Sequence, residues 1–310
     1  MIYINVGAGR LGNQFFYYAF AKQLQKNNPG EKIIFNFSDC RQMHRIENDG
    51  YDNSLRFFKT TLTETTNKFR YSPIQYVVYR LFKHFCFSNP SEYQRIMKSH
   101  KWVKVLEFFG LYYWKIGYYT FRVKKPWWVR NLIVDGCFEC EKYFEDIRDI
   151  LLEDFQPRKP LHDYNVKLMH IIQNNNSVAV CVRRGDFLNA KNAEMYNVCG
   201  LSYYERAIKL IKQRIAKPVF IFFSDDLDWV KKHLDVGNCD CFYESGKDEV
   251  WETMRLMSSC KHFIISNSTF HWWAQYLCDY PDKVVVAPSR WYGNKLESAL
   301  YQDNWDLISV

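Results

Sequence analysis

The chain has no long uninterrupted apolar segment. No window approaches the roughly 18 consecutive apolar residues that a membrane-spanning helix requires, so any membrane association is expected to be peripheral. A basic leader with a small-residue cleavage site is also missing, because Met1–Val6 runs directly into a strand-like pattern, and we expect a cytoplasmic protein. Low-complexity tracts and internal repeats are absent. With 47% hydrophobic and 18% aromatic residues, the chain has enough apolar surface to fold throughout.

Paired cysteine motifs are scarce, although the sequence contains ten cysteines. The cysteines are scattered, and together with the missing export signal this favours reduced thiols over disulfides. Cys137 and Cys140 have the spacing of a metal or redox pair, but no second cysteine or histidine pair accompanies them at zinc-ribbon spacing. We therefore predict buried structural thiols and no bound metal.

Acidic residues are almost missing between Lys68 and Arg130. This stretch has thirteen Lys and Arg residues but only two acids, Glu92 and Glu107, and it is rich in Tyr, Phe and Trp. A basic, aromatic surface suits either the anionic face of a membrane or an acidic polymer. The other interpretation is a solvated helical layer whose aromatic side chains belong to the core. The pattern alone leaves these interpretations open.

The length of 310 residues suits two domains rather than one. The first half opens with a βαβ pattern, which consists of a strand at Ile2–Val6, a helix at Asn13–Lys26 and a strand at Ile33–Phe35. The region from about 40 to 130 has helical patches and few clean strands. We interpret it as a largely helical, basic and aromatic-rich insertion, after which a strand is predicted at Asn131–Asp135.

The second half of the chain alternates strands and helices regularly. A predicted helix at Cys140–Phe155 ends near Pro157, which together with Pro160 marks the hinge. The elements predicted beyond it are strands at 177–182, 219–223, 262–266 and 283–287 and helices at 202–215, 227–234, 251–260 and 270–277. Strict alternation indicates a doubly wound α/β domain with a parallel sheet. We therefore predict two Rossmann-like domains, 1–158 and 159–310.

Three strands of the second predicted domain are followed by charged or polar turns. In parallel α/β sheets, ligands bind just beyond the carboxyl ends of the strands. The turns are Arg183–Asp186 (RRGD), Ser224–Asp226 (SDD) and Asn267–Thr269 (NST), and the last of them opens a helix. All three residues of that last turn are N-cap types, and a helix N-terminus offers free N–H groups and partial positive charge to an anion.

An arginine from a neighbouring strand end clamps phosphate through two parallel hydrogen bonds. The presence of Arg183 or Arg184 beside the helix N-terminus therefore predicts a diphosphate site that needs no metal. The alternative is that Arg184 pairs with Asp186 and that the Asn-Ser-Thr run only caps its helix.

Four segments resemble one family. Cys181–Phe187 (CVRRGDF) resembles the His-x-Arg-Arg-Gly-Asp-Tyr signature of the α1,2-fucosyltransferases of glycosyltransferase family 11, and Leu256–Trp273 (LMSSCKHFIISNSTFHWW) is similar to their Asn-Ser-Ser/Thr block with its Trp pair. Gly9–Gln14 (GRLGNQ) resembles their amino-terminal motif, and Cys137–Phe144 (CFECEKYF) resembles a segment before their linker. These matches fall in the family's order.

This resemblance implies the GT-B architecture, with two Rossmann-like lobes facing a central cleft. It also implies metal-independent, inverting transfer of L-fucose from GDP-β-L-fucose to a hydroxyl, the 2-hydroxyl of a galactoside. The implied acceptor is a galactose-containing oligosaccharide or a lipid-linked glycan, and no nucleic-acid partner is expected. Three positions depart from the family pattern, because Cys181, Phe187 and His271 replace its usual His, Tyr and Ser.

Combined with charge arguments, the resemblance implies roles for individual residues. Arg184, with Arg183 beside it, neutralises the β-phosphate as GDP departs, and its change to Ala should cost on the order of 3 kcal/mol. Asp225 or Asp226 accepts the N1–H and N2–H groups of guanine. The other expected donor-binding residues are Asn267, Ser268, Thr269 and Phe270 of the second domain and Arg10, Gly12, Asn13 and Gln14 of the first, of which Asn13 and Gln14 face the fucose or the phosphate.

The incoming hydroxyl must lose its proton, so a base is needed. Asp186 is the first candidate and Glu194 the second, with the alternative that Asp186 only orients Arg184. Trp272 and Trp273 are interpreted as core side chains rather than as sugar platforms.

Two rival interpretations invoke other cofactors. Gly7, Gly9 and Gly12 form a G-x-G-x-x-G pattern after a strand, which is typical of NAD and FAD enzymes. The acidic residue that should follow about 20 positions on is Asp39, which lies too far along. Asp226-Leu-Asp228 has the Asp-x-Asp form of metal-dependent transferases, but it begins a predicted helix, where Asp228 complements the dipole. A third rival is a non-catalytic basic module that binds acidic glycan or nucleic acid.

Overall fold

The computed structural model describes residues 1–7, 9–47, 51–88, 91–122, 124–188, 193–294 and 296–310. The chain forms two compact units, Met1–Phe155 and Gln156–Val310. Each unit is built on its own parallel sheet flanked by helices. The α/β class with two Rossmann-like units is confirmed.

In its described residues, the first unit has a five-stranded parallel sheet in the order β3-β2-β1-β5-β4. Its strands are β1 (Ile2–Asn5), β2 (Ile33–Asn36), β3 (Thr65–Thr66), β4 (Leu111–Tyr112) and β5 (Leu132–Val134). The region interpreted as an insertion therefore supplies both edge strands of this sheet. These two strands have only two residues each, which is too short for a periodic pattern to reveal them.

The helices of this unit are α1 (Leu11–Asn27), α2 (Ser38–Glu47), α3 (Pro73–Phe87), α4 (Glu92–Phe108) and α5 (Arg148–Asp154). The long helix predicted at Cys140–Phe155 is wrong in its first half. That part consists of two 3-10 turns, Glu141–Tyr143 and Glu145–Ile147, and α5 forms only its end. Asp154 fastens α5 to α1, since it accepts a hydrogen bond of 2.6 Å from the Tyr18 hydroxyl.

The second unit has a six-stranded parallel sheet in its described residues, in the order β11-β10-β9-β6-β7-β8. The strands are β6 (Asn176–Val182), β7 (Pro218–Ser224), β8 (Cys241–Tyr243), β9 (His262–Ile264), β10 (Val285–Pro288) and β11 (Asp306–Ile308). The helices are α6 (Val166–Asn174), α7 (Ala193–Tyr196), α8 (Leu201–Arg214), α9 (Leu227–His233), α10 (Val250–Ser258) and α11 (Thr269–Leu277). All four strands predicted for this unit are present, whereas β8 and β11 were not predicted.

Large side chains fill the core of the second unit. One face of β6 packs Val178, Val180 and Val182 against buried residues of α8. Trp272 and Trp273 of α11 are fully buried, which confirms their interpretation as core. All ten cysteines lie in the described ranges and carry free thiols. No described helix combines the length and the apolar character needed to cross a bilayer.

Candidate functional site

The three turns singled out in the second unit lie side by side. Strand β6 is the central neighbour, since it pairs with β9 on one side and with β7 on the other, in parallel register. The turns after β9, β6 and β7 therefore emerge at the same edge of the sheet. Adjacency in the sheet brings the arginines, the aspartates and the start of α11 into one neighbourhood.

Arg183 points into a cavity of about 190 Å³ in this unit. Its Nη1 atom contacts Oδ2 of Asp225 at 2.9 Å, and both side chains line the cavity. Phe270 and His271, from the first turn of α11, line it as well. The structure thus places one arginine and one helix N-terminus on the same cavity.

Arg184 takes the opposite direction. Its guanidinium carbon lies 3.8 Å from the ring centroid of Trp229, and its Nε donates to Oδ2 of Asp226 at 3.1 Å. Among the described residues around the cavity, Arg183 is present and Arg184 is not. Successive residues of an extended segment face opposite sides, which separates the two arginines. The geometry therefore favours Arg183 over the predicted Arg184 as the phosphate ligand.

The two candidate guanine acceptors also separate. Asp226 is the N-cap of α9, because its carboxylate accepts a hydrogen bond of 3.1 Å from the Trp229 N–H as well as the contact from Arg184. Asp225 remains at the cavity, where it accepts from Arg183 and from the backbone N–H of Arg184. A carboxylate has about four acceptor positions, so Asp225 retains acceptor capacity for a ligand.

Gly185 is required by the close approach of Asp225. A Cβ atom at this position would lie 2.9 Å from Oδ2 of Asp225, which is closer than such atoms come in proteins. The glycine of the Arg-Arg-Gly-Asp turn therefore permits the carboxylate to reach the arginines.

The start of α11 has the form of an anion site. Ser268 is its N-cap, and within the described chain its hydroxyl accepts no hydrogen bond from the helix it caps. The N–H groups in the first turn of a helix, such as that of Phe270, have no acceptors within the helix. Both the hydroxyl and these N–H groups are suited to bind phosphate oxygens.

Asn267 does not serve as predicted. Its side chain is buried, and its Nδ2 donates to the carbonyl oxygens of Tyr196 and Trp291, each at 2.9 Å. The amide is occupied by the protein backbone, so its predicted ligand contact is wrong. Asn267 instead fastens two loops to the end of β9.

His271 is a neutral group in this site. Its ring is buried, and Nδ1 lies 2.8 Å from Oγ of Ser266. Burial, followed by the nearby charge of Arg183, lowers the pKa of His271 to about 3. The departure from the family's serine therefore adds a hydrogen-bonding ring and no charge at physiological pH.

The other two departures lie in different environments. The Cys181 side chain is fully buried in the core, and burial raises the pKa of its thiol. It offers no ligand contact in place of the family's histidine. The ring of Phe187 lies 5.8 Å from the guanidinium carbon of Arg183, so this position still packs beside the arginine without a hydroxyl.

Two carboxylates in the cavity wall, Glu244 and Asp248, were not predicted. Glu244 directly follows β8, the fourth adjacent strand end, and β8 was not among the strands predicted from the sequence. Burial raises the pKa of Glu244. The cavity volume of about 190 Å³ is smaller than the roughly 300 Å³ of typical ligand pockets.

The structure says little about the surroundings of the two candidate bases of the second unit, Asp186 and Glu194. The side chain of Asp186 lies outside the described residues. Glu194, on the short helix α7, is exposed. Neither candidate is tested by its surroundings, and both stay predictions.

In the first unit, polar side chains gather where β1, β2 and β5 end. The Asn5 side chain donates to Asp39 at 3.1 Å and to Asp135 at 3.0 Å. Nδ2 of Asn13, in the first turn of α1, donates to Oε1 of Glu139 at 3.4 Å. Burial raises the pKa of Glu139 to about 7, against the opposing effect of the Lys115 charge. Glu139 lies within the segment Cys137–Phe144, and the sequence alone did not single it out.

Gln14 is a structural residue, contrary to its prediction. It is fully buried, and its Nε2 donates to the carbonyl oxygens of Gly9 and Asp52, while its Oε1 accepts from the Ser54 N–H. The side chain therefore holds two loops together and does not face a ligand. Its neighbour Gly12 is buried in the first turn of α1.

Arg10 is the N-cap residue of α1, and its guanidinium carbon lies 5.2 Å from the ring centroid of Tyr51. Its predicted donor contact stays a prediction.

The features behind the rival interpretations have structural roles. Asp39 lies in the first turn of α2 rather than at the end of β2, where a ribose ligand would be expected. Of the Asp-x-Asp pair, Asp226 is the N-cap of α9 and Asp228 lies in its first turn, as predicted from the dipole.

Comparison with known proteins gives one consistent family. A family model described as glycosyl transferase family 11 matches residues 1–309. The O-antigen biosynthesis glycosyltransferase WbnK of Escherichia coli is 29% identical over 96% of this chain and 97% of its own length. An alpha-1,2-colitosyltransferase of Escherichia coli is 35% identical over 51% of this chain and 55% of its own length. Human galactoside alpha-(1,2)-fucosyltransferase 1 is 34% identical over 32% and 28%, respectively. The chain therefore belongs to glycosyltransferase family 11, and not to the dinucleotide-dependent oxidoreductases.

Proposed function

We propose that the protein transfers L-fucose, with inversion, from GDP-β-L-fucose to the 2-hydroxyl of a galactoside. Membership of family 11 supports glycosyl transfer. The 1,2 linkage is supported by the names of two relatives, an alpha-1,2-colitosyltransferase and a galactoside alpha-(1,2)-fucosyltransferase. The acceptor is a galactose-containing oligosaccharide or a lipid-linked glycan, and the reaction proceeds without a metal.

The observation that carries this proposal is the cavity shared by Arg183 and the start of α11. As the bond between C1 of fucose and the β-phosphate breaks, negative charge grows on the phosphate oxygens. The Arg183 guanidinium stabilises this charge from one side, and the start of α11, through the Phe270 N–H and the Ser268 hydroxyl of its N-cap, stabilises it from the other. Pre-oriented donors of this kind stabilise the transition state more than the ground state.

Asp225 has two roles in this proposal. Its contact of 2.9 Å to Nη1 holds the Arg183 guanidinium in the direction of the cavity. Its remaining acceptor positions receive the N1–H and N2–H groups of guanine, which adenine cannot offer together. Asp226 is assigned no ligand, because it caps α9 and pairs with Arg184.

Glu139 is proposed as the proton acceptor for the incoming hydroxyl. Its pKa of about 7 suits a base that must be ionised at neutral pH and still bind a proton during the reaction. It is only half-buried, and the Asn13 amide donates to it, which supports the predicted importance of Asn13. Asp186 and Glu194 stay the alternative candidates for this role.

A donor screen tests the proposed function. The protein is incubated in excess EDTA with a panel of β-galactosides and, separately, with GDP-fucose, GDP-mannose, UDP-galactose and the GDP-activated form of colitose, and products are identified by mass spectrometry. The expected product is a fucosylated galactoside. Its fucose should be released only when the 1,2 linkage is hydrolysed. Transfer from GDP-mannose, UDP-galactose or the colitosyl donor in preference to GDP-fucose would contradict the proposed donor, and loss of transfer in EDTA would contradict the metal-free reaction.

A further inference from the structure

Helix α3 is apolar on two faces, and within the described chain only one of them is covered. On the covered face, Phe82 and Cys86 pack against the buried Leu106 of α4 and Ile133 of β5. A second face carries large apolar side chains that are each 46–56% exposed, namely Ile74, Val77, Leu81 and Phe85, of which Phe85 also stacks on Trp102 of α4. Their spacing of three or four residues places them in one stripe along the helix. A stripe of this size on a soluble protein marks an interaction surface.

The segment 124–130 adds exposed aromatic side chains beside the end of α4. Nε1 of Trp128 donates to the Phe108 carbonyl oxygen at 3.0 Å, and the two rings lie 5.7 Å apart. Phe108 and Trp128 are both exposed, and Trp127 is 90% exposed. We call α3, α4 and residues 124–130 together the hairpin surface. Trp127 makes an edge contact with the Trp128 ring and leaves most of its own surface exposed.

The hairpin surface and its surroundings are strongly basic. The exposed basic side chains between residues 68 and 130 are Lys68, Arg70, Arg80, Lys98, Lys101, Lys104, Arg122, Lys124 and Arg130. Of the two acids in this range, Glu107 is buried and accepts a hydrogen bond of 2.6 Å from the Arg122 N–H. Glu92 is therefore the sole exposed acid among the described residues of this range.

This combination of side chains discriminates between partners. A polyanion such as nucleic acid or acidic glycan would use the lysines and the tryptophans, but it offers nothing to a stripe of Ile, Val and Leu. A second copy of the chain would bring lysines against lysines, which is unfavourable. An anionic bilayer satisfies both features, because the apolar side chains enter the acyl boundary while the lysines contact lipid phosphates.

We propose that the hairpin surface docks on the surface of a bilayer that contains anionic phospholipid. The axis of α3 then lies in the plane of the membrane interface, with the stripe inserted and Lys98, Lys101 and Lys104 of α4 at headgroup level. Trp127 and Trp128 occupy the interfacial layer that tryptophan prefers. This inference does not depend on which sugar the enzyme transfers.

Vesicle flotation of the full-length protein tests the proposal. Vesicles of phosphatidylcholine alone are compared with vesicles that also contain phosphatidylglycerol, at two salt concentrations. We expect binding to the mixed vesicles only. The charge variant Lys101→Glu/Lys104→Glu should reduce this binding by at least 25-fold, about fivefold for each lysine lost. The apolar variant Leu81→Ser/Phe85→Ser should reduce it more than tenfold, even at low salt.

Control variants carry comparable changes, lysine to glutamate and apolar to serine, at exposed positions of the second unit. Lys167→Glu/Lys209→Glu and Val166→Ser alter charge and apolar exposure away from the hairpin surface, and they should bind vesicles as the wild type does. Circular dichroism and thermal denaturation confirm that each variant folds. Wild-type binding by the two hairpin variants would overturn the proposal. So would tighter binding to heparin than to vesicles, or a dimer in solution that Leu81→Ser/Phe85→Ser converts to a monomer.

Discussion

Replacing each arginine of the Arg-Arg-Gly-Asp turn separately distinguishes the two phosphate assignments. Arg183 lines the cavity with the start of α11, so Arg183→Ala removes a charge that acts on the departing phosphate. Loss of one such donor typically costs about 3–4 kcal/mol of transition-state stabilisation, which is a fall in kcat of about 10²–10³-fold. Initial rates at saturating GDP-fucose measure this effect, and calorimetric titration with GDP measures the binding component.

Arg184→Ala should affect stability rather than catalysis. The change removes a partly exposed ion pair to Asp226, worth about 0.2–1 kcal/mol, and a stacking contact with Trp229, worth about 0.5–1 kcal/mol. The free energy of unfolding should therefore fall by about 1–2 kcal/mol, while kcat changes less than about fivefold. Thermal denaturation of the two variants provides the comparison.

Arg183→Lys is the matched control. It keeps the charge but loses the planar fork that contacts two phosphate oxygens, so it should recover only part of the lost rate. The assignment would be refuted if Arg184→Ala lost a hundredfold in kcat and Arg183→Ala stayed within threefold of the wild type.

Three further variants test single residues of the two units. Ser268→Ala should lower turnover at least tenfold, as measured by initial rates. Because the Ser268 hydroxyl does not cap α11, urea unfolding should show a loss of stability below the roughly 1 kcal/mol of an ordinary N-cap. The reverse pattern, normal turnover with lower stability, would show that the serine is structural. Glu139→Gln should abolish the acid limb near pH 7 in the pH–rate profile, since ionised Glu139 is the active form and its pKa is raised to about 7; an unchanged limb in the variant would remove Glu139 as the base. Gln14→Ala should lower the free energy of unfolding by about 2–3 kcal/mol, because it orphans buried backbone groups, while KM for GDP-fucose stays unchanged; a raised KM with normal stability would restore the predicted ligand contact.

The sequence by itself determined the general location of the candidate site. Apolar strand-like runs that alternate with segments of helical periodicity predict two α/β units. Parallel strands place their carboxyl ends at one edge of a sheet. The turns at Arg183, Asp225 and Ser268 could therefore be predicted to meet before any coordinates were known, and β9, β6 and β7 are indeed neighbours. The motifs also pointed to family 11, which the match over residues 1–309 shows.

Only the tertiary structure decided which of these polar side chains are available to a ligand. Gln14 and Asn267 look like ligand-binding residues in a motif, but backbone carbonyls from distant loops use their amides. Arg183 and Arg184 are chemically identical in the sequence, and Trp229 of α9 draws Arg184 away from the cavity. The burial that raises the pKa of Glu139 likewise arises from packing. Each outcome depends on contacts between residues far apart in the chain, whose geometry no local pattern encodes.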